Sequence, residues 1–104
     1  LGPSRAKAKD TRIISALSQV RIVAETVFDG DYDLVTLTQT QIAPLNADIT
    51  ANGGVLVLPT IASPQYAYAA YSRLASDATR AFCVDSLGTA KTVALPSGGI
   101  TVCP

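Results

Sequence analysis

A broadly apolar helical stretch near the start of the chain, RIISALSQVRIVAETVF (residues 12–28), constrains the fold more than any other feature. At 100° per residue its apolar side chains cover about half of the helix circumference, interrupted by Arg21. Asp29 and Gly30 then give a helix-ending signal. The stretch therefore predicts a helix that packs one wide face on a large surface, most simply a sheet. The apolar positions on this face are Ile13, Ile14, Ala16, Leu17, Val20, Val23, Ala24, Val27 and Phe28.

The apolar stripe ends upstream, but the helix-forming sequence continues. Extending the same register backwards places Lys9 and Asp10 on the face that is apolar further along. The upstream segment holds good helix formers and no breaker follows Pro3, so we expect one helix over residues 5–28 with Ser4 as its N-cap. A helix that continues past its own core is expected to contact a further partner. The alternative is a frayed basic N-terminus.

Charge is unevenly distributed along a chain whose formal net charge is zero. Residues 1–21 carry five bases and one acid, and residues 22–104 carry three bases and seven acids. The zero net charge argues against nucleic acid as a partner, and no run of 18 apolar residues is present to span a membrane. The bases on the helix start are candidate contacts with an acidic neighbour; phospholipid headgroups, nucleic acid and a solvated basic face are the alternatives. These bases are Arg5, Lys7, Lys9 and Arg12.

The rest of the chain predicts a connecting region and a small antiparallel sheet. We expect residues 29–54 to form a loop with a short helix that opens at Pro44 and ends before Asn52. From Val55 onward the apolar pattern has a period of two, and Leu87-Gly88 indicates a tight turn. The expected class is α+β, one long helix on three or four antiparallel strands. The expected strand segments are residues 55–59, 65–75, 79–86 and 89–95.

Residues 5–104 are expected to be a single domain, since 104 residues with 48% apolar content suit one folded core. Residues 1–4 are expected to be a tag remnant or the edge of a truncation, because the chain contains no Met. Two cysteines, Cys83 and Cys103, favour a disulfide that tethers the tail and closes residues 83–103; two buried free thiols are the alternative. In the loop-entropy account such a bridge is worth about 3 kcal/mol.

The composition offers little catalytic chemistry. The chain has no His, so it lacks Ser/His/Asp, Cys/His and His-bearing zinc sites, and we expect no enzyme and no cofactor. One weak calcium candidate is the alternating set Asp29, Asp31 and Asp33. Counted as an EF-hand loop from its first Asp, it has Leu34 where Gly is needed and Thr40 where Glu is needed. Core packing in a strand explains the remaining aromatic cluster more simply than a binding face does; its members are Tyr66, Tyr68 and Tyr71.

The segment SRAKAKDTRIISALSQVRIVAETVFDGDYD (residues 4–33) resembles the part of type IV pilins and pseudopilins that follows their membrane-spanning half-helix. ITANGG before the first strand and AFCVDSLGTAK across a strand, a turn and a strand also resemble that family, as does the terminal cysteine pair. The leader and the apolar span of the family are missing from the sequence. The resemblance implies a pilin-like fold, with the long helix on the sheet, a connecting αβ-loop and a disulfide-closed C-terminal region.

The resemblance implies a structural role. The expected function is that of a filament subunit acting by polymerisation, in adhesion, motility or DNA uptake. Its implied partners are further copies of itself through the N-terminal helix, minor pilins and the inner-membrane assembly machinery, with membrane contact only through the missing segment. The four bases on the helix start are then candidate contacts with an acidic neighbour in a filament. Its implied location is an extracellular pilus, after anchoring in the inner membrane. The alternatives are a type II secretion pseudopilin and, from another class, a monomeric secreted binding module.

Overall fold

The computed structural model describes residues 2–59 and 64–104, which form two helices and one sheet. Helix α1 spans Gly2–Thr26 and α2 spans Ala43–Ala51, followed by strands β1 (Ala69–Arg73), β2 (Arg80–Asp85) and β3 (Ala90–Ala94). The strands form one antiparallel sheet in the order β1-β2-β3. The expected α+β class, with a long N-terminal helix, is confirmed. Residue 1 of the expected N-terminal edge lies outside the described residues.

Helix α1 packs on the sheet through the central part of the predicted apolar face. Its fully buried side chains lie on one face of the helix, and Ile22 on the opposite face is 64% exposed. The predicted Ser4 cap is wrong, because the helix already begins at Gly2. Proline suits a first helical turn, so Pro3 starts the helix rather than preceding it. The buried positions are Ile13, Ala16, Leu17, Val20 and Ala24.

The C-terminal end of α1 comes slightly earlier than predicted. The helix ends at Thr26, although the N–H of Val27 still donates to the carbonyl of Val23 at 2.9 Å. The chain turns away at Gly30, whose φ of 97° lies in the left-handed region that glycine adopts without strain. Phe28, expected on the packed face, is therefore beyond the helix and 42% exposed.

The short helix α2 lies beside α1 and completes the core on that side of the sheet. Pro44 is in its first turn, as predicted, and Asn52 follows its last residue. Ile42 and Ile49 are fully buried in the same core cluster as Ile13 of α1. The chain then passes this cluster at Gly54. A Cβ there would approach Cγ2 of Ile49 to 2.7 Å, so a side chain at this position would collide with the packed core.

Both faces of the sheet are covered. Tyr68, Ala70 and Val84 contribute to the core under α1, whereas Tyr71 and Cys83 belong to a second cluster on the other face. Three of the four candidate strands are confirmed with shorter bounds. The fourth, residues 55–59, is wrong as a strand, since it forms a single bridge. Pro59 has no N–H to continue a ladder, which accounts for the early end of pairing.

A disulfide fastens the C-terminal segment over the second face. Cys83 in β2 is bonded to Cys103, so the predicted bridge is confirmed and the free-thiol alternative is wrong. The hydroxyl of Tyr71 donates to the carbonyl of Gly98 at 2.6 Å, and the N–H of Ala69 donates to that of Ile100. The tail therefore follows the sheet without adding a strand to it.

Candidate assembly surface

The N-terminal half of α1 extends beyond the core of the domain. From Ser4 to Arg12 only Ala6 and Asp10 are partly buried, and the other side chains are exposed. Full burial begins at Ile13. The helix is continuous across this boundary, and 25 residues correspond to about 37 Å of length. One rigid element thus packs in the core along one half, and its other half, apart from Ala6 and Asp10, is uncovered.

The four basic side chains singled out in the sequence lie on this uncovered half. Arg5, Lys7, Lys9 and Arg12 are all exposed. An exposed cation costs little desolvation and keeps its charge available to an outside partner. The structure therefore presents these residues as a basic surface, and their contacts with other molecules stay a prediction.

Asp10 ties this half of the helix to the β1–β2 connection, a role that sequence analysis did not assign. Its Oδ1 accepts hydrogen bonds from the N–H groups of Ala75 at 2.7 Å and Ser76 at 3.1 Å, and its Oδ2 accepts one from the Ser76 hydroxyl. Its position on the otherwise apolar register was visible in the sequence. The partners, 65 and 66 residues away, were not.

The acidic set after α1 forms a fixed loop. Oδ1 of Asp31 accepts hydrogen bonds from the N–H of Asp33 at 2.9 Å and from the N–H of Gln65 at 2.8 Å. The N–H of Tyr32 in turn donates to the carbonyl of Gln65 at 2.8 Å. Asp31 thus joins the loop to a distant segment, whereas Asp29 and Asp33 are exposed. Within the described ranges, no group of three or more His, Cys, Asp or Glu could hold a metal ion.

The tyrosines do not share a face. Tyr66 is 74% exposed, Tyr68 is fully buried under α1, and Tyr71 is buried on the opposite face of the sheet. Tyr68 and Tyr32 pack with ring centroids 4.9 Å apart. Burial, with smaller electrostatic effects led by Glu25, raises the pKa of Tyr68 well above its usual value. Core packing, the simpler expectation, accounts for Tyr68 and Tyr71.

Asp85 is a buried carboxylate that sequence analysis missed. Its side chain is 1% exposed, and it accepts hydrogen bonds from three backbone N–H groups. Those of Leu87 and Thr89 donate to Oδ1 at 3.0 and 2.9 Å, and that of Cys103 donates to Oδ2 at 2.9 Å. Burial raises its pKa, but these hydrogen bonds outweigh burial and hold the pKa below its usual value. Through these hydrogen bonds the carboxylate joins the β2–β3 turn to the C-terminal segment.

Comparison with known protein families, curated proteins and solved structures found no match for this chain. Within the described residues, no helix is both long and apolar enough to cross a membrane.

Proposed function

We propose that this chain is a structural subunit of a type IV pilus-like filament and acts by polymerisation. One observation carries the proposal: α1 is a single helix whose apolar face is buried in its own domain from Ile13 to Ala24, whereas most side chains from Ser4 to Arg12 are exposed. One half of such a helix packs in the core of its own domain, and the other half stays accessible to neighbouring molecules. Small homopolymeric subunits need such a surface that is separate from their own core.

The remaining architecture supports the same role. The sheet carries α1 on one face and the disulfide-fastened C-terminal segment on the other, and both buried clusters consist of residues from Ile13 onward. In this proposal, which the resemblance to pilins supports, the uncovered segment continues outward from an apolar half-helix in the filament centre. In this proposal the subunit is anchored in the inner membrane by that segment and then assembles into an extracellular filament, used for adhesion, motility or DNA uptake. Minor pilins and the assembly machinery are its further partners.

The test begins with the natural coding sequence upstream of residue 4 and with the surfaces of cells that express the complete chain. The proposal expects a short basic leader followed by about 20 apolar residues, and surface filaments that disappear when the gene is deleted. Reintroducing the complete gene should restore the filaments.

Two other results would point elsewhere. A conventional secretion signal leading directly into Ser4, with no filaments, would contradict the proposal and favour a monomeric secreted binding module. A short filament that forms only with a secretion machine, and whose loss blocks protein export, would favour the pseudopilin alternative.

A further inference from the structure

Basic and acidic residues are concentrated in different parts of the folded molecule, as they are in different parts of the sequence. The hydrogen bonds from the β1–β2 connection to Asp10 hold that connection against the start of α1. Two late bases, Arg73 and Arg80, flank the connection and so join the bases of the helix start. Asp77 lies in the same connection, where its carboxylate accepts hydrogen bonds from Thr79. Six of the eight bases of the chain thus lie toward one end of a molecule 46 Å long.

Acidic groups dominate the opposite end. The loop Asp29–Asp33 follows the C-terminal end of α1, and the hydroxyl of Tyr32 donates to Oε1 of Glu25 at 3.1 Å. Glu25 and the buried Asp85 both line one surface pocket there, together with Arg21. The two ends of α1 therefore carry opposite charge, basic at the N-terminal end and acidic at the C-terminal end.

The basic end contains a groove of about 600 Å³ between α1, the end of α2 and the β1–β2 connection. Arg5 and Lys9 of α1 and Arg73 of β1 line it, with Gly53 and Ala78. None of the described residues that line it is acidic. Nε of Arg73 donates to the carbonyl of Gly53 at 3.2 Å, which orients one guanidinium in the groove wall. Three cations from two elements thus converge on one concavity that suits carboxylates.

The acidic loop is built to present carboxylates. The N–H of Tyr32 donates to the carbonyl of Gln65, and the carboxylate of Asp31 accepts from the N–H of Gln65, so little conformational freedom is lost when the loop is bound. Asp29 and Asp33 are exposed on this fixed loop. A pre-ordered acidic loop at one end and a basic groove at the other are complementary surfaces on a single chain.

We propose that the groove formed by Arg5, Lys9 and Arg73 of one copy binds the Asp29–Asp33 loop of a second copy. The inference rests on the proposed polymerisation and names its docking surfaces. Because the two surfaces differ and lie at opposite ends, the contact is head-to-tail and can be repeated, as a filament requires. Head-to-head or tail-to-tail contacts would bring like charges together. Complementary charges set the register and raise the encounter rate, and reversing one set would place like charges together in the contact, which weakens it.

The experiment measures self-association of the 104-residue chain by sedimentation velocity up to about 1 mM protein, at about 20 mM and about 500 mM NaCl. The groove variant Arg5→Glu/Lys9→Glu and the loop variant Asp29→Lys/Asp33→Lys are measured alone and as an equimolar mixture. We expect the parent chain to associate at low salt and each variant alone to lose at least about tenfold in affinity. The mixture should regain association, because each variant supplies the surface that matches its partner.

Matched single substitutions separate a local contact from a general effect of charge. Lys9→Glu in the groove is compared with Lys91→Glu on β3, and Asp33→Lys in the loop with Asp48→Lys on α2; all four positions are exposed. Only the groove and loop substitutions should weaken association. Thermal unfolding and the intact disulfide mass show that each variant is folded.

Several results would overturn the docking. These are a parent chain that stays monomeric at low salt, variants that associate as the parent does, control substitutions that weaken association equally, or a mixture that stays monomeric. None of these bears on filaments imaged on cells, so failure of the docking leaves the filament role to its own test. Conversely, self-association of the chain in solution, together with an absence of filaments on cells, would contradict the filament role and support the docking.

Discussion

Replacing Asp85 by Asn is expected to lower the free energy of unfolding, because Asp85 bonds the β2–β3 turn to the C-terminal segment. The carboxylate accepts two N–H donors on Oδ1 and one, from Cys103, on Oδ2. An amide offers one oxygen and one NH2 group, so at least one N–H loses its acceptor and faces another donor. A buried hydrogen bond to a charged group contributes about 1.5–3 kcal/mol, and an orphaned donor adds a desolvation penalty. We expect the free energy of unfolding to fall by about 2–4 kcal/mol at pH 7.

The effect should depend on pH in a direction fixed by the shift in pKa. The folded protein holds the pKa of Asp85 below the value of about 4 that the unfolded chain has. Its stabilisation is therefore fully present above that value and is lost as the pH falls through the folded pKa. The difference between the parent and Asp85→Asn should accordingly be largest near neutral pH and should shrink below about pH 4.

Urea unfolding followed by circular dichroism, at several values of pH, measures both effects. The matched control is Asp48→Asn, which changes an exposed carboxylate on α2 and should alter the free energy of unfolding by less than about 0.5 kcal/mol. Equal free energies of unfolding for Asp85→Asn and the parent at pH 7 would contradict the stabilising role of the Asp85 hydrogen bonds. So would a loss of stability that is equally large at pH 7 and well below pH 4.

Three further predictions concern the core. Replacing Cys83 and Cys103 by Ala opens a loop with a sequence separation of 20, and urea unfolding should show a loss of about 3 kcal/mol; no loss would contradict the entropic account. Gly54→Ala places a methyl group against Ile49 and should cost about 1–3 kcal/mol by the same assay, whereas Gly88→Ala meets no atom within 4 Å and measures the cost of positive φ alone. The hydroxyl of Tyr68 has no hydrogen-bond partner within residues 2–59 and 64–104, so Tyr68→Phe should change stability by less than about 1 kcal/mol at pH 7. Because the pKa of Tyr68 is raised on folding, the parent should lose stability as the pH rises above about 10, and the variant should lose less of it.

The periodicity of α1 made its packing readable from sequence. The apolar positions from Ile13 to Ala24 recur at helical spacing, and the structure buries that face against the sheet. The strands around the Leu87-Gly88 turn were likewise recognisable, because a period of two and a turn signal occur together. Residues 55–59 show the limit of that argument. Their alternation puts Leu56 and Leu58 in the core, but burial does not require a ladder, and pairing stops after one bridge.

The polar contacts of Asp10 and Asp85, and the basic groove, could not be predicted from the sequence in the same way. Asp10 and Asp85 bond to backbone groups that are 65 and 18 residues away in the chain, at Ala75 and Cys103. A carboxylate that accepts backbone N–H groups leaves no periodic pattern, because its partners carry no side-chain signal. The same holds for the basic groove, which Arg73 and Lys9 line together only after folding. Exposed bases on a helix start could be named from the sequence, but the concavity they line could not.

The most direct measurement of the central claim compares lysine acylation, by mass spectrometry, in filaments of the complete chain and in the isolated 104-residue chain. Lys7 and Lys9 lie on the uncovered half of α1, and Lys91 on β3 reports general access to reagent. If that half of the helix faces neighbouring subunits, Lys7 and Lys9 should be strongly protected in the filament relative to the isolated chain. Equal labelling of both lysines in filament and isolated chain would contradict the account.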